Sequence, residues 1–219
     1  MSIDTELARH TMVENQIRPW EVLDVRVLDT LRELRREAFV PEHLRHLAFA
    51  DMALPLGHGE FMFKPVIEGR ILQALALAAD ERVLEVGTGS GFLTACMARL
   101  AASVTSVERH ADLADAARKR LASAHIGNVR VETGDALGEA RTSETFDVVV
   151  LGGGVYAIPE QLRACVRPGG RLFAFVGESP ALQAVLATRE GPAQWTQRSL
   201  FETDVPYLHN AEPPRRFSL

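Results

Sequence analysis

The chain has 219 residues, 47% of them hydrophobic and 24% charged. These values sit close to the globular average, which excludes extended disorder and suits one large domain, or a core of about 150 residues with a smaller attachment. A formal charge of −5 argues against a nucleic-acid-binding surface, which needs a basic stripe.

Residues 1–80 read as helical. Val25, Leu28, Leu31 and Leu34 recur at helical spacing, as do Ile67, Ile71, Leu75 and Ala78. Between these stretches a loop is expected over 51–63, holding Pro55, Gly57 and Gly59. The start (Ser2, Asp4, Glu6) is acidic and lacks the apolar stretch of a secretory signal. The longest apolar stretch, around Ile71 to Ala79, is too short for a membrane span and is interrupted by Gln73. A cytoplasmic protein without a membrane span is expected.

From residue 82 onward, strand-like runs at 82–86, 103–107, 128–132, 146–151 and 171–176 alternate with helical patterns at 91–101, 111–124 and 159–166. Runs as continuously apolar as 146–151 suit a sheet buried on both faces. Strand, helix and strand at this spacing predict an α/β fold, a Rossmann-like doubly wound and mostly parallel sheet with helices on both faces, plus the N-terminal helical extension. Pro168-Gly169-Gly170 is expected to stop a helix and turn the chain into the next strand. β-prone pieces at 195–201 and 205–208 are expected to complete the sheet or cover one end of it. The expected division is 1–80 for the extension and 81–219 for the core with a C-terminal β segment. Cys96 and Cys165 lack metal or CxxC spacing and read as buried free thiols in helical patterns.

The strongest chemical signal is Val83-Leu84-Glu85-Val86-Gly87-Thr88-Gly89-Ser90-Gly91, a strand running into alternating glycines at a helix start. Glycine lets the backbone bend sharply and approach a ligand closely, and the helix N-terminus offers free N–H groups to an anion. Phe92 stands where a dinucleotide fingerprint needs its last glycine, and Glu85 precedes the loop, so nicotinamide binding is disfavoured. The pattern resembles the first motif of class I methyltransferases that use S-adenosylmethionine (AdoMet), and implies that Glu85, Gly87, Thr88, Gly89, Ser90 and Gly91 shape the methionine site. Glu108, ending the next strand with Arg109 after it, is spaced to accept from both ribose hydroxyls. Asp135 in Gly134-Asp135-Ala136 is a candidate to accept from the adenine amino group. Leu151, ending the fourth strand, completes the expected cofactor set. Leu151-Gly152-Gly153-Gly154 replaces the Asn/Asp-Pro-Pro-aromatic motif of amino-group DNA methyltransferases and reads as a flexible turn, so base methylation is not expected.

Further motifs extend the resemblance over roughly residues 10–180. Met12-Val13-Glu14-Asn15-Gln16-Ile17, Arg36-Glu37-Ala38-Phe39-Val40-Pro41-Glu42-His43-Leu44 and Ala53-Leu54-Pro55-Leu56-Gly57-His58-Gly59 fall in order. Ile158-Pro159-Glu160 and Arg167-Pro168-Gly169-Gly170-Arg171-Leu172 follow them. Together they are similar to protein-L-isoaspartate O-methyltransferases. This implies AdoMet as cofactor, S-adenosylhomocysteine as product, and a damaged protein or peptide as acceptor, methylated on the abnormal α-carboxylate of an isoaspartyl residue.

The chain departs from that family in the acceptor loop, Gly59, Glu60, Phe61, Met62 and Phe63, then Lys64-Pro65. The family reads Gln-Thr-Ile-Ser-Gln-Pro from position 60, so Phe63 stands at the place of the family's active-site serine. Lys64 is then the candidate to anchor a carboxylate by charge, and His58 the candidate base should the acceptor be a hydroxyl. Two alternatives stay open: a small-molecule O-methyltransferase with an apolar pocket, and an AdoMet-binding module without turnover. No metal is expected from His43-x-x-His46.

Overall fold

The computed structural model describes residues 4–138 and 144–214. Ser2 and the outer ends of the two expected segments lie outside the described residues.

The N-terminal part is built from short helices whose ends are capped by aspartates. Helix α1 (Thr5–Met12) begins at Asp4, whose carboxylate accepts from the backbone of Glu6 and Leu7. It runs into a wider turn over Val13–Ile17. Asp24 caps α2 (Val25–Glu33) in the same way. The buried face of α2 is Val27, Leu28, Thr30 and Leu31. Val25, expected on that face, is exposed, and Leu34 is buried just beyond the helix end, where the backbone is already extended.

The expected loop at 51–63 is a hairpin: β1 (Leu54–Gly57) pairs antiparallel with β2 (Glu60–Met62). Pro65 then opens α3 (Pro65–Leu75), which buries Ile67, Ile71 and Leu75 and stops where Ala76 turns left-handed, so that Ala78 falls outside it.

Next come β3 (Arg82–Val86), α4 (Phe92–Leu100), β4 (Ser103–Glu108), α5 (Ala111–Ser123), β5 (Val129–Thr133) and β6 (Phe146–Val155). They are followed by α6 (Glu160–Ala164), β7 (Val166–Val176), β8 (Leu182–Arg189) and β9 (Trp195–Thr203). One seven-stranded sheet runs β5-β4-β3-β6-β7-β8-β9, parallel through β7 and antiparallel beyond it. The sheet is Rossmann-like and mostly parallel, with helices on both faces.

Three local expectations are corrected. The helix expected at 159–166 is only Glu160–Ala164, because Val166 already pairs with Phe146. Pro168-Gly169-Gly170 is therefore an irregularity within β7, with Gly169 at positive φ, before regular pairing resumes at Arg171. The three glycines of 152–154 are strand rather than turn, since β6 runs on to Val155. Strand β8 escaped the sequence reading because Leu-Gln-Ala-Val-Leu-Ala is rich in good helix formers. Pairing along the whole of β7 decides its state.

Two apolar clusters lie on opposite faces of the sheet. One gathers Met12, Leu31, Ile71, Phe92 and Leu121 with Val148 and Phe175, so α1–α5 and the sheet share it. The other joins Leu162 of α6 to Leu84, Leu151 and Leu172. Chain order reverses between β3 and β6, and the crevice at such a switch point is where open α/β sheets bind ligands.

Candidate active site

A cleft opens at that switch point, over the C-terminal ends of β3, β4 and β5 and the outer part of β6. Its floor is the glycine loop. Gly87, Gly89 and Gly91 have φ of 95°, 52° and 84°, a region where a side chain is strained. Gly91 caps α4, and a Cβ there would lie 3.2 Å from that of Ala117. The hydroxyls of the loop turn inward: Thr88 Oγ1 lies 2.6 Å from Ser106 Oγ, and Ser90 Oγ accepts from the Phe92 amide.

Two carboxylates hold the loop's shape. Glu108, at the end of β4, accepts from the Gly89 amide at 2.9 Å and from the His110 amide at 3.0 Å, and is nearly buried. Glu85, in β3, is fully buried; its Oε2 accepts from Thr94 Oγ1 and Ser106 Oγ, each at 2.5 Å. Its Oε1 is buried with no hydrogen-bond partner among the described residues, in a side chain that lines the cleft. Burial pushes the Glu85 carboxyl up to about 7, the two hydroxyls opposing that shift. A buried acceptor left unpaired is costly unless something fills the place beside it.

Farther along the cleft, Asp135 Oδ1 accepts from the Leu137 amide and leaves the rest of its carboxylate at the wall. Gly134, Ala136, Val107 and Arg109 complete that side. The residue types fit AdoMet: a glycine loop at a helix start for a carboxylate, a desolvated acid with a vacant oxygen for an ammonium, and acids at two strand ends for ribose and base.

The expected set is not all in the cleft. Leu151 is fully buried in the second apolar cluster, and Gly152 and Gly153 line the cleft instead. Gly91 acts behind the wall as a helix cap, and Gly59 lies in the hairpin turn outside the cleft.

His58 also lies outside. Its ring is 43% exposed, stacked on His110 at 4.1 Å, and its Nε2 meets the Asp112 carboxylate at 2.9 Å. That contact holds the Asp112 carboxyl below the usual range. His58 is therefore engaged with the start of α5 and does not line the cleft.

The hairpin forms the opposite wall. Glu60, Phe61, Met62 and Phe63 all line the cleft, Met62 turned into the core and Phe61 outward. A side pocket of about 450 Å³ adjoins it, with Glu60, Phe61, Phe63, Gly152 and Pro206 common to both. Lys64 lines only this side pocket.

Sequence reasoning missed the buried ion pair beneath this wall. Arg36 and Glu68 are both inaccessible and paired to each other. Arg36 also donates to the carbonyls of Ala48 and Phe63, at 2.8 and 2.7 Å. Glu68 reaches the cleft, and burial pushes it up to about 8 against the pull of Arg36. The available signal was a lone glutamate among Val66, Ile67, Ile71 and Leu72 of an apolar helix. Pro206, Tyr207 and Leu208 also line the cleft, the last closing over the glycines of β6. Among the described residues no helix is long and apolar enough to cross a membrane, and no group of three or more His, Cys, Asp or Glu is placed to hold a metal ion.

A family model for protein-L-isoaspartate(D-aspartate) O-methyltransferase matches residues 8–208. A protein-L-isoaspartate O-methyltransferase of Methylorubrum populi is 38% identical over 194 residues, covering 89% of this chain and 91% of the relative. Protein-L-isoaspartate O-methyltransferase 1 of Rhodopseudomonas palustris is 40% identical over 178 residues, covering 81% of this chain and 73% of the relative. Among solved structures, a Plasmodium falciparum protein described as a candidate protein-L-isoaspartate O-methyltransferase, in complex with S-adenosyl-L-homocysteine, superposes with a TM-score of 0.80. It is 21% identical and covers 91% of this chain and 97% of its own, a likeness of fold.

Proposed function

The chain belongs to the protein-L-isoaspartate(D-aspartate) O-methyltransferase family, and on that premise we propose that its cleft holds AdoMet while the side pocket presents the carboxylate of a damaged peptide to it. The chain is an AdoMet-dependent O-methyltransferase of the isoaspartyl type. When bound, AdoMet supplies an electrophilic methyl group on a sulfonium, and leaves as the neutral thioether.

We assign the chain's residues as follows. The 87–91 loop and the start of α4 receive the methionine carboxylate. The vacant Glu85 Oε1 receives its ammonium, Glu108 the ribose hydroxyls and Asp135 the adenine amino group. An acceptor carboxylate is already ionised at neutral pH, so no residue has to remove a proton from it. What remains is to align and desolvate the two reactants. Lys64 is exposed and has no ion-pair partner among the described residues, in a pocket that joins the cleft at Phe63 and Gly152. That unpaired ammonium beside the cleft is the observation that carries the carboxylate reading.

The hairpin of the extension and the 203–206 segment of the core together line the acceptor side, while the cofactor side is lined mainly by the core from residue 81. A cytoplasmic setting agrees with Cys96 and Cys165, both free thiols.

The apolar walls of Phe61 and Phe63 favour a second reading, a small-molecule acceptor with a hydroxyl. Two variants separate the readings with an isoaspartyl peptide as substrate. Lys64→Ala is expected to lower kcat/KM about tenfold to a hundredfold, the worth of a charge-assisted contact, while His58→Gln stays within about twofold, since His58 lines neither cavity. An unchanged kcat/KM in Lys64→Ala would take the carboxylate away from Lys64 and favour the second reading.

A further inference from the structure

We infer that the side pocket walled by Phe61 and Phe63 receives an apolar side chain next to the methyl-accepting residue, so that this enzyme selects damaged peptides by that neighbour. The inference rests on the carboxyl-methylation reading above and names its substrate class more narrowly.

The walls come from the pleat of the hairpin strand as it leaves β2. In an extended chain residues two apart share a face, so Met62 enters the core while Phe61 and Phe63 wall the pocket. Ala53, Ile67, Val205 and Pro206 complete an apolar lining. Phe63 is fixed in place, its ring 5.6 Å from that of Phe175 and its carbonyl held by buried Arg36.

Phe61 is the opposite case. It remains 44% exposed at the junction of the two cavities. Folding leaves this aromatic face in water, and a ligand side chain laid on it would remove that surface from solvent.

Charge narrows the occupant. The pocket lining carries Lys64 for the acceptor carboxylate, together with Glu60 and Asp204. With Lys64 taken by the acceptor, a second carboxylate on the neighbouring residue would find no other cation in that lining and two acids, whereas an apolar side chain meets the aromatic walls.

The test uses three isoaspartyl peptides that differ only in the residue beside the isoaspartyl: Phe, Gly or Glu. Burying a few tens of Å² of apolar surface predicts kcat/KM for the Phe peptide roughly fivefold to tenfold above Gly, with Glu lowest. Phe61→Ala should bring the Phe and Gly peptides to within about twofold of each other. The side chain is exposed, so its loss spares the core, and Phe61→Leu should restore part of the preference.

Equal kcat/KM for the three peptides, or an unchanged Phe-to-Gly ratio in Phe61→Ala, would overturn the inference while leaving carboxyl methylation standing. Methylation of none of them by protein that binds AdoMet would overturn carboxyl methylation, and the inference with it.

Discussion

Glu85 sits where its charge is disfavoured, and the consequence is a pH dependence of known sign. Its carboxyl is raised from 4.5 to about 7, with burial as the main cause. A group whose folded value is raised adds stability that is fully present below its unfolded value and is lost as pH rises through the folded one. Unliganded protein should therefore lose stability between about pH 5 and pH 8, by on the order of 3 kcal/mol from this residue. Denaturant titrations across that range should show a flatter profile in Glu85→Gln than in the parent. An identical slope in both would mean that Glu85 is not the titrating group. The sequence made Glu85, Glu108 and Asp135 visible because each lies in, ends or follows a strand of the parallel sheet. It hid Glu68, whose partner Arg36 lies 32 residues away and is brought to it only by packing.

Strand β6 shows how an element's composition follows from what passes beside it. The tail lies across its outer end: Gly154 N–H donates to the Pro206 carbonyl, and Leu208 N–H to the Gly154 carbonyl, both at 2.8 Å. A Cβ on Gly153 would come within 2.9 Å of the Leu208 side chain. A Cβ on Gly152 would lie 2.7 Å from the Gly87 carbonyl oxygen and 2.9 Å from that of Val86, both backbone atoms that cannot swing aside. Gly152→Ala should thus push β3 and β6 apart at the floor of the cleft, lowering stability by about 1–3 kcal/mol and weakening AdoMet binding as well. A thermal melt and a calorimetric titration read the two effects, and a variant with the parent's melting temperature and affinity would refute the packing argument. Read from sequence, Gly-Gly-Gly means turn; pairing with β7, the backbone of the glycine loop and the crossing tail explain it as strand. The hairpin of β1 and β2 was equally opaque, because three- and four-residue strands around Gly57-His58-Gly59 carry too little periodicity to register.

At the scale of the molecule, the alternation of apolar runs and helical patterns from residue 82 was enough to place five parallel strands, and the glycine loop was enough to point to the cleft at their ends. The antiparallel extension through β8 was not legible, since its helix-forming residues take their conformation from β7. Nor was the merging of the N-terminal helices into the core of one sheet face, which depends on contacts distant in sequence such as Ile71 with the cluster around Phe92 and Phe175. These long-range contacts also build the wall on which we propose that the acceptor sits, with its carboxylate held by Lys64. Whether methyl transfer proceeds on that rebuilt wall is decided by one measurement: transfer of labelled methyl from AdoMet to a matched pair of peptides, one isoaspartyl and one aspartyl, read as base-labile methanol. The account predicts label in the isoaspartyl peptide alone. No label in either peptide, from protein shown to bind AdoMet in the same sample, would contradict it.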